Sequence, residues 1–309
     1  MSDLVMVFAG SPAAAVPSLQ ALAASRHHVA AVLTREDSPQ GRRRELTPTA
    51  VAASATALGL PIIRANRLAG VATEAVTALR PDLGVIVAYG GFVREPLLSV
   101  PRLGWINLHF SLLPRWRGAA PVQRAIIAGD EVSGASVFQL VAELDAGDVF
   151  GQFTQAIGAN ETAGHLLDSL SVGGAELLVR VVNSLADGVA RADPQRGDVT
   201  LAPKLDLPDA RLDFLQHAST VLNRMRGVTP EPGAFTLVDG LRIKILEAVI
   251  VHDEARLAAG QLELRDGRVL VGTTSDPLEL MSVQPAGKTA MRATDWWRGR
   301  PADAGTLAR

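Results

Sequence analysis

INLHFSLLPRWRGAAPVQRAI, residues 106–126, begins as a strand and ends as a helix, with unusual side chains between. On a strand, residues i and i+2 face the same side, so Asn107 and His109 project together. A proline and two arginines bracketing a tryptophan follow, before AAPVQRAI takes up helical spacing. The end of such a strand is where open α/β sheets place their ligands. A lone histidine reads most simply as structural; an amide and an imidazole paired at a strand end point to chemistry. An acidic third member would complete the set. ELDAGDV (143–149) offers Asp145 at a turn, and Asp148 three residues on serves equally well by sequence.

Working outward, strand-like and helix-like segments alternate. LVMVFAG (4–10) is a continuous apolar run ending in glycine, as a strand buried on both faces would be. SPAAAVPSLQALAAS (11–25) follows, with Ser11 at a cap position and Pro12 at a first helical position. Next come a strand at 29–34, a helix at 49–59, another near 71–80 and the strand LGVIVAYG (83–90). ASVFQLVAELDAGDVF (135–150) reads as two short strands around a turn at Asp145-Ala146-Gly147, and 161–188 reads as helical. This alternation predicts an α/β fold, a doubly wound and mostly parallel sheet covered on both faces.

From about 188 to 208 the period is lost among prolines, glycines and charges, so the stretch reads as a linker. A short helix is expected over 212–227. Beyond it the pattern turns to β, with Asp239-Gly240 and Asp266-Gly267 each set between alternating runs as hairpin turns. Several short strands of this kind predict a second, smaller C-terminal β-barrel. The expected division is 1–189, a linker over 190–207, and 208–309.

The bulk numbers exclude much. The absence of cysteine rules out disulfides and thiolate metal sites. MSDLVMVFAG is too short and too soon strand-like for a signal peptide, and no apolar run reaches the ~20 residues of a membrane span, so a cytoplasmic protein with no membrane partner is expected. Net charge is −2; residues 1–205 carry 17 Lys+Arg against 18 Asp+Glu, and 206–309 carry 13 against 14. Any polyanionic partner must therefore be held by local patches, not by a global field.

One such patch is REDSPQGRRRELTP (35–48), with three consecutive arginines, Arg42, Arg43 and Arg44. It reads either as a solvated surface loop or as a basic finger that contacts phosphates. Arg115 and Arg117, on either side of Trp116, add charge and a stacking surface. FAGSPAAAVP (8–17) superficially resembles a nucleotide loop, but it lacks both G-x-G-x-x-G and a Walker lysine, so a tight turn into a helix is preferred. There is no His-x-x-x-His pair, and an amide is a poor substitute ligand, so no metal is expected.

These residues resemble a known family. NLHFSLLPRWRGAAPVQRAI together with LDAGDV is similar to the methionyl-tRNA formyltransferases, and the likeness extends to FAGSPAAAVPSLQAL, VIVAYG and LMSVQPAGKTAMRATDWW. N-L-H-x-S-L-L-P and L-D-x-G-D are common to enzymes that use 10-formyltetrahydrofolate; P-R-W-R-G-A-A-P-x-Q-R is more specific to the tRNA-directed member. The resemblance implies a formyltransferase catalytic domain and an oligonucleotide-binding-like (OB-like) tRNA-binding barrel. It places the catalytic set on Asn107, His109 and Asp145, and the folate contacts on Ser111, Leu112, Leu113, Pro114 and Tyr89. It places tRNA contacts on Arg42, Arg43, Arg44, Arg115 and Arg117, with Arg42 at the family's key arginine position. The implied partners are methionyl initiator tRNA and 10-formyltetrahydrofolate as co-substrate, and a monomer is expected. Two departures stand out: GRRREL (41–46) replaces the usual G-R-G-K-K-L, and GVTPEPGAF (227–235) replaces an N-P-W-P-like element.

Rival readings follow from the same residues. Formyl transfer to a small amine, such as glycinamide ribonucleotide or an amino-sugar nucleotide, would use the strand-end set but leave the basic insertion and the barrel unexplained. A hydrolase releasing formate would use water in place of the amine. A non-catalytic RNA-binding protein would have no need of Asn107, His109 and Asp145 together.

Overall fold

The computed structural model describes residues 3–41, 44–252, 255–301 and 306–308. They fall into two compact units: one of residues 1–121, 133–155 and 167–202, the other of 122–132, 156–166 and 203–309.

The chain opens with β1 (Val5–Gly10), α1 (Val16–Ala23), β2 (His28–Thr34), the short strands β3 (Ser38–Gln40) and β4 (Glu45–Thr47), α2 (Ala50–Ala57), β5 (Ile62–Arg64) and α3 (Val71–Ala78). It continues through β6 (Leu83–Val87), β7 (Trp105–His109), α4 (Pro121–Ala128), β8 (Val132–Gln139), β9 (Val149–Ala156) and α5 (Ala163–Ala186). Seven strands form one sheet in the order β5-β2-β1-β6-β7-β8-β9. The pairs from β5 to β7 are parallel and β7 pairs with β8 antiparallel. The expected mostly parallel sheet is thus present, and β7, which carries Asn107 and His109, runs between its parallel part and its antiparallel edge.

Local chemistry explains the register at β7. Gly84 on β6 lies opposite Trp105, and a Cβ at Gly84 would come 2.1 Å from the indole ring. The missing side chain admits the ring, which is fully buried with Val7, Ala9, Leu33, Val76, Ile86, Tyr89 and Leu97. The indole Nε1 donates to the Leu97 carbonyl at 2.9 Å, which satisfies its one polar atom. That anchor sets the phase of the strand, so Trp105, Asn107 and His109 share one face.

The second unit contains α6 (Ala218–Gly227), β10 (Phe235–Val238), β11 (Leu241–Ile250), β12 (Leu262–Arg265), β13 (Arg268–Val271), β14 (Leu278–Pro285), β15 (Met291–Arg292) and α7 (Ala293–Arg298). Its antiparallel sheet runs β10-β11-β14-β13-β12, with β15 on β14. Asp239-Gly240 and Asp266-Gly267 do form the hairpin turns, all four residues having positive φ, as a type I′ turn requires. The tail links the sheet's two ends: Ala308 bridges to Val238 at the end of β10, and Leu307 bridges to Gln261 just before β12. The β-barrel expected from the strand pattern is therefore a five-strand path whose ends meet through the tail.

Three local readings differ. Residues 211–216 are not helical, because the Leu212 amide donates to the Phe235 carbonyl and the Asp213 carboxylate accepts from the Leu215 amide and the Gln216 side chain. Those local bonds compete with the first helical turn, and α6 starts only at Ala218. The basic finger contains a small hairpin, β3 with β4; Arg42 and Arg43 lie outside the described residues. Residues 193–202, read as linker, instead pair with the first unit, Asp193 bridging Val149 at the start of β9 and Leu201 bridging Arg117 in the loop after β7.

Candidate active site

His109, the last residue of β7, is 6% exposed, with its ring edge-on to Phe138 at 6.4 Å. Its Nε2 lies 2.8 Å from the Trp116 carbonyl oxygen. A carbonyl only accepts, so Nε2 carries the proton and donates. In the neutral ring the Nδ1 lone pair is then left facing the Asp145 Oδ2 at 3.8 Å. Burial is the leading influence on the ring and pulls its pKa below the ordinary 6.5; the Asp145 charge and the Trp116 bond oppose this without reversing it. The imidazole is therefore neutral at pH 7, with a carboxylate ready to stabilise it once it takes a proton.

Asp145 sits at the turn where the sequence placed it, in the left-handed region at φ +46°. The Gly118 amide donates to Asp145 Oδ2 at 2.8 Å, which ties the carboxylate to the loop after β7. Asp148, the other acidic possibility, is exposed, and its carbonyl accepts from the Gln139 amide. Asn107 is half-buried on the face it shares with His109, and its Oδ1 is buried with no hydrogen-bond partner among the described residues. An orphaned buried acceptor costs roughly 1–3 kcal/mol, and a ligand's donor would relieve it. The strand-end amide, the imidazole and the carboxylate thus belong to one neighbourhood.

The turn Ser111–Pro114 is stapled to the next two strands. Ser136 Oγ donates to the Ser111 carbonyl at 2.6 Å and accepts from the Leu113 amide at 3.1 Å. Gln152 Nε2 donates to the Leu113 carbonyl and to Ser136 Oγ. Ser111 Oγ donates to the Arg115 carbonyl, and Leu113 and Pro114 are buried while Leu112 is half-buried. Tyr89 is buried in the core cluster that holds Trp105, and its hydroxyl donates to the Ala65 carbonyl at 2.5 Å. Its ring is a wall of the fold, with the one polar atom already engaged.

The arginines split. Arg44 is exposed at positive φ in the turn between β3 and β4. Arg115 is exposed and holds its guanidinium 5.3 Å over the Trp116 ring. Arg117 turns inward: Nε and Nη2 donate to Gln195 Oε1 at 3.1 and 2.8 Å, and Nη1 reaches Glu143 at 3.4 Å. Ser136, Gln152, Gly118 and Gln195 are contributors that sequence reasoning missed. Each acts through polar contacts to segments distant in sequence, which no periodicity announces. Among the described residues no group of three or more His, Cys, Asp or Glu side chains is placed to hold a metal ion. No described helix is long and apolar enough to cross a membrane.

The chain thus combines a mostly parallel sheet, with Asn107 and His109 at one strand end, and a second unit built on an antiparallel sheet. The formyl transferase family matches residues 3–182 and its C-terminal domain matches 204–301, so the chain belongs to the formyl transferase family. More particularly, its relatives include the methionyl-tRNA formyltransferase of Clavibacter sepedonicus, 59% identical over 95% of this chain and 96% of that one. The methionyl-tRNA formyltransferase of Leifsonia xyli subsp. xyli is 60% identical over 97% and 98%. Among solved structures, the N-formyltransferase of Helicobacter canadensis shares the fold at TM-score 0.69 and 16% identity, covering 91% of this chain and 98% of that one. HypX of Aquifex aeolicus in complex with tetrahydrofolic acid shares it at TM-score 0.64 and 18% identity; the match covers 96% of this chain but 47% of HypX, so the chain spans about half of that protein.

Proposed function

We propose that the chain transfers a formyl group from 10-formyltetrahydrofolate to the α-amino group of methionine esterified to initiator tRNA. The observation that carries this reading is the near end-to-end identity, 59% and 60%, with methionyl-tRNA formyltransferases. In this reading residues 1–189 form the catalytic domain, 208–309 form the tRNA-binding domain, and 193–202 of the intervening 190–207 bond to the catalytic domain. The orphaned Asn107 Oδ1 beside a neutral His109 fits a site completed by a ligand that donates hydrogen bonds.

The α-amino group has a pKa near 8, so a working fraction is unprotonated at neutral pH and no strong base is needed to generate it. As nitrogen attacks the formyl carbon, negative charge builds on the formyl oxygen, and the Asn107 amide donates to it. The ammonium proton released by the attack passes to the free Nδ1 of His109. The resulting imidazolium lies against Asp145, which stabilises the charge, and it can return the proton to the leaving folate nitrogen. The Ser111–Pro114 turn, fixed by Ser136 and Gln152, would seat the folate. Arg42, Arg43, Arg44 and Arg115 would meet tRNA phosphates, with the Trp116 ring beside Arg115 offering a stacking surface. Arg117 would serve from within, through its bonds to Gln195 and Glu143.

A substrate panel tests the reading: 10-formyltetrahydrofolate with methionyl-initiator tRNA, free methionine, uncharged tRNA, and small-molecule amines. Formylation confined to the aminoacylated tRNA supports it. Preferential formylation of a small amine, or release of formate without an acceptor, overturns it.

A further inference from the structure

Gln195 lies in a segment without helical or strand period, yet its side-chain amide is fully engaged. Oε1 accepts from Nε and Nη2 of Arg117, at 3.1 and 2.8 Å. Nε2 donates to the carbonyls of Asp145 and Gly147, at 2.7 and 2.9 Å. Four polar contacts meet on one amide, and only one orientation satisfies all of them, because guanidinium groups only donate and carbonyls only accept. The amide therefore joins two loops that are 28 residues apart in sequence: that of Arg117 and that of Asp145.

The surrounding backbone makes the same connection. The Arg117 amide donates to the Thr200 carbonyl at 2.9 Å, the Ala202 amide donates to the Arg117 carbonyl at 2.7 Å, and Asp193 and Val149 exchange both of their amide bonds. The Trp116 amide donates to Thr200 Oγ1 at 2.9 Å, and it is the Trp116 carbonyl that accepts from His109. Gly118 fits against this segment only as glycine: its φ is +124° and a Cβ would lie 2.8 Å from the Ala202 carbonyl. Both Asp145, held in the left-handed region, and the carbonyl that orients His109 are thus braced by residues 193–202.

We infer that Gln195 is a positioning residue for formyl transfer, clamping the Asp145 turn to Arg117 so that the carboxylate stays opposite His109. This rests on the reading that Asp145 acts in the reaction. Without the clamp the Asp145–Gly147 turn loses the two hydrogen bonds that Gln195 Nε2 donates to its carbonyls, and a misplacement near 1 Å is worth about 100-fold in rate. Substrate-holding groups elsewhere are untouched, so affinity should be preserved.

The test uses the full chain with Gln195→Ala, Gln195→Glu and Asp145→Asn, and the double variant of Gln195→Ala with Asp145→Asn, assayed by steady-state formylation alongside thermal melts. Gln195→Glu is isosteric and still accepts from Arg117, but it opposes the Asp145 and Gly147 carbonyls with a carboxylate; it carries the test should Gln195→Ala not fold. Expected are a fall in kcat of about 100-fold in both Gln195 variants, KM values for tRNA and folate within about twofold, and little further loss from Gln195→Ala in the Asp145→Asn background. A folded Gln195 variant with unchanged kcat, a rise in KM alone, or full multiplicative loss in the double variant overturns the inference. Full activity in Asp145→Asn alone overturns the site reading beneath it, a result separable from the others.

Discussion

His109 combines burial with a fixed tautomer, and both have measurable consequences. Because its folded pKa lies below 6.5, the unfolded chain binds a proton first as pH falls. The stability tied to the neutral ring is present above pH 6.5 and is lost progressively as pH drops through the folded value. Thermal melts at pH 7.5 and 5.5 should therefore converge in His109→Asn relative to the unsubstituted protein; an equal pH dependence in both would contradict this. The pairing of Asn107 with His109 was legible because a two-residue spacing on a strand constrains direction, whereas the residues alone left Asp145 and Asp148 equal and only the family resemblance favoured Asp145. Gln195 was not legible, since its partners at 117, 145 and 147 are close only in the folded chain.

Among the elements, β7 depends on what β6 omits. Gly84→Ala would place a methyl group 2.1 Å from the Trp105 ring, and the indole, pinned at Nε1 by Leu97, has nowhere simple to go. A loss of at least roughly 1–3 kcal/mol in chemical denaturation is expected, the range for overpacking a close-packed core. A loss below ~0.5 kcal/mol would show that the ring moves freely. The strands and the two Asp-Gly turns were legible because period and turn chemistry are local signals. The start of α6 was not, because Leu212 is recruited by Phe235, a residue 23 positions later. At the finger between β3 and β4, Arg44→Ala should raise the KM for tRNA with kcat nearly unchanged, and should reduce the salt slope of tRNA affinity by about 1. An unaltered slope would remove Arg44 from the phosphate contacts.

For the whole molecule, neutrality overall and local arginine clusters agree with a polyanionic partner met at defined places instead of by a general field. The tail gives the second unit a further dependence. Residues 306–308 bond across the ends of β10 and β12, so a truncation before Thr306 exposes two strand edges. A lower melting temperature and concentration-dependent light scattering are expected; an unchanged melt would mean that the tail contributes nothing to the barrel. That β7 and the Asp145 turn act together on a formyl group can be checked by single-turnover formylation of methionyl-initiator tRNA by His109→Ala, with tRNA affinity measured on the same preparation. A rate loss on the order of 100–1,000-fold at unchanged tRNA affinity is expected. A rate within threefold of the unsubstituted protein, or a loss wholly explained by weakened tRNA binding, would contradict it.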